Sequence, residues 1–327
     1  MKTISIVTGC YNEEGNVKAL YERVREVMIK IGGYRYEHIF IDNHSEDNTV
    51  VRLKEIAKQD TNVRIIVNSR NFGHIRSPMH ALNQARGDAV ISIVADFQDP
   101  PEMIADFIAE WEKGIKMVLG VKKSSSENKV MFFIRKYYYR LIKKISSVPT
   151  FENFTGFGLY DREVVDIIKS FKDPYPYFRG IIAEVGLSYK LIPYHQPQRK
   201  QGKTKNNFYS LYDMAMLSIT NFSKIPLRIS IFFGFISAII CFLAAIFYFI
   251  YKLFFWSSFT LGEAPMIIGI FLFSSVQLIA LGILGEYIGS IYTYVQARPY
   301  VVEQERINFE YEPAMPMNEN DKEQVAN

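Results

Sequence analysis

Two stretches without a charged residue constrain this chain more than anything else in it. Ile229 to Tyr251 runs for 23 residues and Ala264 to Gly285 for 22. As a helix, each is long enough to cross roughly 30 Å of hydrocarbon. A core helix of a soluble protein rarely stays uncharged for that length. The sequence therefore predicts two membrane-spanning helices, over 229–251 and 264–288, joined by the short loop Lys252 to Glu263. Lys224 and Arg228 precede the first span, and Arg298 and Arg306 follow the second. Because Lys and Arg near span ends collect on the cytoplasmic side, the large N-terminal part and the C-terminus are expected on that face of an inner or plasma membrane.

The remaining composition divides the chain further. With 49% apolar and 22% charged residues over 327 positions, it is too apolar to be disordered and too charged to be wholly embedded. The net charge of +4 hides a concentration: Lys129 to Arg228 holds 17 Lys and Arg against 7 acids. A basic segment placed just before a hydrophobic one suits an anionic membrane surface better than nucleic acid. Two runs inside it, Met131–Lys144 and Phe208–Phe222, interleave aromatic and basic residues as interfacial helices do. Cys10 and Cys241 are too few and too far apart for a disulfide framework or a thiolate zinc site, and the five histidines show no metal-ligand spacing. Met1–Cys10 reads as a strand rather than a leader. The expected organisation is a catalytic-type domain over 1–205, a juxtamembrane helix over 206–228, the two spans, a cytoplasmic segment over 289–311 and a disordered tail over 312–327.

Within the first 120 residues, strand and helix patterns alternate. Ile4–Val7, His38–Ile41, Val63–Val67, Ala89–Val94 and Met117–Val121 read as buried strands. Helices are expected from about Glu14 to Ile31, from Asp47 or Asn48 to Lys58, from Pro78 to Arg86 with Gly87 as its C-terminal glycine, and from Pro100-Pro101-Glu102 onward. Such repetition builds an α/β fold with a mainly parallel sheet. Polar residues cluster after the strand ends: Tyr11-Asn12-Glu13, Asp42-Asn43, Arg70-Asn71 and Asp96-Phe97-Gln98-Asp99. In open α/β sheets that carboxyl edge binds ligands. No GxGxxG follows the first strand and no GxxxxGK[ST] occurs, which removes the main support for dinucleotide and P-loop readings. Asp42 stands where a carboxylate could accept from a base or ribose, and Asp96 where one could hold Mg²⁺ or Mn²⁺ against a diphosphate.

Taken together, Thr8-Gly9-Cys10-Tyr11-Asn12-Glu13-Glu14, Asp42-Asn43-His44-Ser45-Glu46-Asp47-Asn48-Thr49, Ser69-Arg70-Asn71-Phe72-Gly73 and Asp96-Phe97-Gln98-Asp99-Pro100-Pro101-Glu102 resemble family 2 glycosyltransferases with a Rossmann-like GT-A fold. The resemblance is to the polyprenyl-phosphate branch, which includes dolichyl-phosphate mannose synthase and bactoprenol glucosyltransferases. It continues through Tyr177-Phe178-Arg179-Gly180, Arg199…Gly202-Lys203-Thr204-Lys205, Phe222–Arg228, Leu284–Gly289 and Arg298-Pro299. What it implies is inverting transfer of a sugar from a UDP- or GDP-linked donor to a polyprenyl phosphate at the cytoplasmic leaflet. By the same resemblance, Tyr11, Asn12, Glu13, Asp42 and Arg70 would hold the nucleotide sugar. Asp96 would act at the diphosphate, with Asp96 and Gln98 holding the divalent metal. Arg199, Lys203 and Lys205 would meet the acceptor phosphate, and the assembly would be a homo-oligomer, possibly tetrameric, with no nucleic-acid partner.

Three positions depart from that pattern. Asn43 stands where many members carry an acid, Val94 replaces the first acid of Asp-x-Asp, and Gly156 replaces an Asp taken as catalytic base. A phosphate monoester, with a second pKa near 6, attacks without surrendering a proton, whereas a hydroxyl acceptor needs a positioned base. The loss at Gly156 thus favours a phosphate acceptor, with Glu152 or Asn153 as candidates to fill the space. Two alternatives stay open: transfer to a lipid or polysaccharide hydroxyl, and a non-catalytic membrane scaffold with a degenerate site.

Overall fold

The computed structural model describes residues 1–123, 151, 153–171, 173–197, 216, 219–220, 223–255, 263–296 and 298–309. The N-terminal part alternates β1 (Thr3–Cys10), α1 (Val17–Ile31), β2 (Arg35–Asp42), α2 (Thr49–Gln59), β3 (Val63–Asn68), α3 (Gly73–Gln84), β4 (Ala89–Ser92), α4 (Met103–Trp111) and β5 (Met117–Lys122). It continues with β6 (Phe154–Asp161), α5 (Arg162–Ser170), α6 (Phe178–Val185) and β7 (Tyr189–Tyr194). Two long helices follow, α7 (Ile225–Phe254) and α8 (Glu263–Gln296), and then a last strand, β8 (Glu303–Ile307).

The strands form one eight-stranded sheet in the order β7-β5-β6-β4-β1-β2-β3-β8. The expectation of a mainly parallel sheet needs correcting to a mixed one. Parallel pairs join β4, β1, β2 and β3, and also β5 with β7. The β4–β6, β5–β6 and β3–β8 pairs are antiparallel. Period-two alternation sends Ile4, Ile6, Phe40 and Ile65 to one face, under α1, α2 and α4. Val7, Ile39, Ile41 and Ile66 face the other way, under α3, α5 and α6. Burial on both faces explains why these strands are continuous apolar runs.

Several boundaries differ from the sequence pattern for identifiable reasons. Helix α1 begins at Val17 rather than Glu14, because the N–H groups of Asn12, Glu13 and Glu14 donate to Ser45, Thr49 and Asp47 of the neighbouring loop. Helix α3 begins at Gly73 and carries Pro78 inside it. A Cβ built on Gly9 would come within 3.3 Å of the Pro78 ring, so proline and glycine form the contact between α3 and β1. The same helix ends at Gln84, and Gly87 is not its terminal glycine. Gly87 allows a backbone crossing instead: a Cβ there would lie 2.7 Å from Thr3 O and from Ser5 N, both main chain. Strand β4 stops at Ser92, and the prolines before α4 lie in its lead-in turn, where their carbonyls accept from Met103 and Ile104 N–H at 3.1 Å.

The C-terminal segment differs more. Expected as a cytoplasmic segment from 289 onward, it continues in α8 to Gln296 and then pairs as β8 with β3, Ile66 opposite Arg306. Ser69 N–H donates to Val302 O at 2.9 Å, and Asn308 Nδ2 donates to the carbonyls of Ala57 and Val63 at 2.8 and 2.9 Å. Charged residues dominate β8, as befits a short edge strand. Near the first turn of α7, Tyr287 Oη donates to Ser223 O at 2.6 Å, so the two long helices run as an antiparallel hairpin. Many of the described apolar side chains on them, among them Phe232, Phe235, Leu272 and Ile288, are exposed. Among the described residues, Leu272–Gln296 is long and apolar enough to cross a membrane, and Ile225–Ile240 is a shorter apolar stretch.

Candidate active site

The parallel strands β4, β1, β2 and β3 put four loops side by side at one sheet edge, with Cys10 opposite Asp42 and Val7 opposite Ser92. Non-glycine residues with positive φ mark three of these loops: Asn12 (57°), His44 (66°) and Phe97 (61°). Backbone strain of this kind costs about 1–3 kcal/mol per residue and collects at functional sites.

The first two loops interlock. Asn12 N–H donates to Ser45 Oγ and Glu46 N–H to Asn12 Oδ1, both at 2.9 Å. Glu13 N–H donates to Thr49 Oγ1 at 2.8 Å, and Asn16 Nδ2 to Glu13 Oε2 at 2.6 Å. Tyr11 and Glu13 are half-buried on this rim. Asp42 sits beneath it, fully buried, accepting from Ser45 N–H at 2.9 Å and from Ser45 Oγ at 2.5 Å. Desolvation raises its pKa, and the Ser45 hydrogen bonds work against that rise. The expected nucleoside ligand therefore also shapes the loop that Asn12 grips.

Asn43, the first departure from the acidic pattern, is a hub. Its Oδ1 accepts from Phe72 N–H at 2.9 Å and from Asn68 Nδ2 at 3.1 Å. Its Nδ2 donates to Asn71 Oδ1 at 2.8 Å and to Gly73 O at 3.3 Å. A backbone donor on one side and a backbone acceptor on the other fix the amide's orientation. A carboxylate could serve only half of these contacts. Arg70, on the loop that Asn43 holds, is exposed and lies 4.0 Å from the Phe72 ring centroid.

The fourth loop carries Asp96, which is buried, with Oδ1 accepting from Gln98 N–H at 3.1 Å. Val94, at the second departure, is 44% exposed at the rim. Its N–H donates to Asp99 Oδ2 at 3.3 Å. Asp99 Oδ1 accepts from Tyr194 Oη at 2.9 Å. No sequence pattern points to this pair, because Tyr194 is 95 residues from Asp99. It ties the Asp96 loop to the end of β7. Among the described residues no cluster of three or more His, Cys, Asp or Glu could hold a metal. Asp96 and the Gln98 carboxamide supply two hard oxygen donors, a set that fits Mg²⁺ because that ion keeps several waters and takes phosphate oxygens.

Burial pushes the Asp99 pKa up from 3.8 to about 6, with the Tyr194 and Val94 hydrogen bonds opposing the shift. An acid raised on folding destabilises the folded state above its folded pKa and costs nothing below its unfolded one. Thermal melts should therefore show the native protein losing stability relative to Asp99→Asn as pH rises from about 4 to about 7, by up to about 3 kcal/mol. A gap that stays constant across that range would contradict this assignment.

The third departure, Gly156, lies at the start of β6 with φ +104°. A Cβ there would be strained and would lie 3.4 Å from Phe178 Cδ1. The Gly156 carbonyl accepts from Tyr160 Oη at 2.7 Å. An acid is thus absent from a position whose backbone is built for glycine. Glu152, Arg199, Lys203 and Lys205 lie outside the described residues, as do the 131–144 run and most of 206–222.

The glycosyl transferase family 2 model matches residues 5–168. A glycosyltransferase of Synechocystis is 33% identical over 316 residues, 96% of this chain and 99% of that one. The SfII prophage-derived bactoprenol glucosyl transferase of Shigella flexneri is 35% identical over 301 residues, covering 91% and 97%. The solved glucosyl-3-phosphoglycerate synthase of Mycobacterium tuberculosis matches 67% of this chain and 78% of its own, at 17% identity and a TM-score of 0.46.

Proposed function

The chain belongs to glycosyl transferase family 2, with a GT-A-like mixed α/β sheet, and on that premise we propose that it moves a sugar, with inversion, from a UDP- or GDP-linked donor to a polyprenyl phosphate at the cytoplasmic leaflet. The observation that carries this reading is the return of β8 onto β3. The strand starts at Glu303, opposite Asn68 at the carboxyl end of β3. The end of α8 therefore reaches the domain at the edge that holds the donor loops. An apolar hairpin hung from that edge delivers a lipid acceptor to the donor without either leaving its own phase. The relative named as a bactoprenol glucosyl transferase supports the same acceptor class. In this reading α7 and α8 both cross the bilayer, and the domain and β8 share its cytoplasmic side.

The proposed roles are these. Tyr11, Asn12, Glu13 and Asp42 form the nucleoside rim. Asp96, with Gln98, would hold a divalent cation, which when bound neutralises the donor's diphosphate. The phosphate acceptor is already an anion near neutral pH, so the glycine conformation at 156 removes nothing the reaction needs. A hydroxyl acceptor would require a base there, and Gly156 disfavours that alternative.

Purified protein in bilayers, given a short-chain polyprenyl phosphate, Mg²⁺ and a panel of labelled nucleotide sugars, should send label from one donor into the organic phase. Chelator should reduce that label to background, and full transfer in its presence would overturn the metal assignment. Label appearing only on a neutral polyprenol or glycolipid would overturn the phosphate acceptor.

A further inference from the structure

The loop after β3 and the first turns of α3 carry two arginines the donor rim does not account for together. Arg70 and Arg76 approach the same Phe72 ring, at 4.0 and 5.7 Å from its centroid. A third guanidinium comes from the far end of the chain. Arg76 donates to the carbonyl of Pro299, which brings the Arg298–Pro299 segment, just after α8, against α3. Among the described residues no carboxylate forms an ion pair with Arg70, Arg76 or Arg298. Arg76 Nε is buried with no hydrogen-bond partner. Burial lowers the Arg76 guanidinium from its ordinary value, with Arg70 and then Arg298 adding to the effect. Three cations crowded without a counter-charge are unfavourable unless an anion joins them. Guanidiniums are the donors best shaped for phosphate.

A cavity of about 570 Å³ runs beside α8, and its walls share Tyr175, but none of the three arginines, with this neighbourhood. Tyr175, Thr220, Gly285, Glu286, Gly289 and Tyr294 are among its walls. It therefore lies along α8 where the helix meets the domain, and Tyr175 is close enough to act electrostatically on Arg76. At Gly282, Gly285 and Gly289 a Cβ would meet nothing within 4 Å, so this face of α8 leaves room for a chain beside it.

We propose that Arg70, Arg76 and Arg298 form one phosphate seat at the junction of α3 and the end of α8, that it takes the phosphomonoester of the lipid acceptor, and that the cavity along α8 receives the first isoprenoid units. This rests on the acceptor reading above and adds residues to it: Arg76 and Arg298, assigned no role so far, and Arg70, moved from the donor to the acceptor. The seat lies at the sheet edge beside the Asn43–Asn71 contact, where the acceptor oxygen has to meet the donor.

The test uses full-length protein in bilayers with Arg298→Gln, Arg298→Lys and Arg76→Gln. Binding of a short-chain polyprenyl phosphate, of the uncharged polyprenol and of the nucleoside diphosphate is measured separately, along with KM for donor and acceptor. Arg298 is exposed, so its variants leave folding unchanged. Arg298→Gln and Arg76→Gln should weaken polyprenyl phosphate binding roughly tenfold or more, with nucleotide and polyprenol binding within about twofold. Arg298→Lys should fall between, keeping the charge without the fork. Weakened nucleotide binding would hand the cluster to the donor's diphosphate and overturn the proposal, as would no change in any ligand. If the unaltered protein transfers sugar to another acceptor and does not bind polyprenyl phosphate, the acceptor reading itself fails and the seat with it. Normal transfer by both glutamine variants overturns the seat alone.

Discussion

Asp96→Asn leaves the fold intact and lowers sugar transfer by about 10²–10³-fold or more, the range seen when one preorganised charge-stabilising group is removed from an active site. Asparagine keeps the oxygen that accepts from Gln98 N–H, the contact that holds the Phe97 turn, so the loop retains its shape. What it loses is the negative charge. Of the two hard donors, Asp96 is the anionic one, because Gln98 offers only a neutral carboxamide oxygen and Val94 offers none. A site with a full Asp-x-Asp would keep one charge after such a change, whereas this one keeps none on these positions. The dependence on Asp96 should therefore be steeper than in relatives with both acids. Turnover with saturating donor and acceptor is the primary readout, and a thermal melt verifies that the variant is folded. Activity close to that of the native protein would remove Asp96 from the chemistry and return weight to the scaffold reading.

Asn43→Asp, which restores the acid the family pattern has there, should destabilise the protein by about 2–3 kcal/mol at neutral pH. The new carboxylate keeps the bonds from Phe72 N–H and Asn68 Nδ2 but turns an acceptor toward Asn71 Oδ1 and Gly73 O, which accept from the native amide at 2.8 and 3.3 Å. Two partly buried acceptors are left facing a charge, and each lost partner costs about 1–3 kcal/mol, with partial exposure holding the sum toward the lower end. The loss should shrink in acid. Burial and facing acceptors would raise the pKa of the introduced carboxyl above its unfolded value, so the penalty is complete above the folded pKa and disappears as pH falls below the unfolded one. Denaturant unfolding at neutral pH and in mild acid checks both the size and the sign. A variant as stable as the native protein at neutral pH would mean that the amide network can reorganise. The same result would return Asn43 to the status of a simply missing acid.

The three departures from the acidic pattern have different physical meanings, and only coordinates separate them. Asn43 is an exchange of charge for a neutral hub. Gly156 belongs to a backbone that an L side chain strains. Val94 exposes its side chain at the rim while its N–H is used by Asp99, and nothing in the structure explains why valine rather than another residue stands there. A reading of the sequence places all three in one class, missing acids, because residue identity says nothing about the φ at 156 or the partners of a side chain.

What the amino-acid sequence determined by itself was local. Continuous apolar runs and amphipathic stretches at helical period set the order of strands and helices through β5, and the uncharged spans marked both long helices. Loops that follow strand ends carried Tyr11, Asn12, Glu13, Asp42, Arg70, Asp96 and Gln98 to one edge, since α/β connectivity alone places carboxyl ends together. Tertiary structure decided the rest. The edge strand β8 falls in a stretch that the sequence offers only as a cytoplasmic segment, and it exists through a ladder to β3, far away in sequence. The Asp99–Tyr194 bond spans 95 residues and the contact of Arg76 with Pro299 spans 223. Contacts at such separations depend on which strands become neighbours in the sheet. That choice is made by the packing of the whole domain, and no window of sequence contains it.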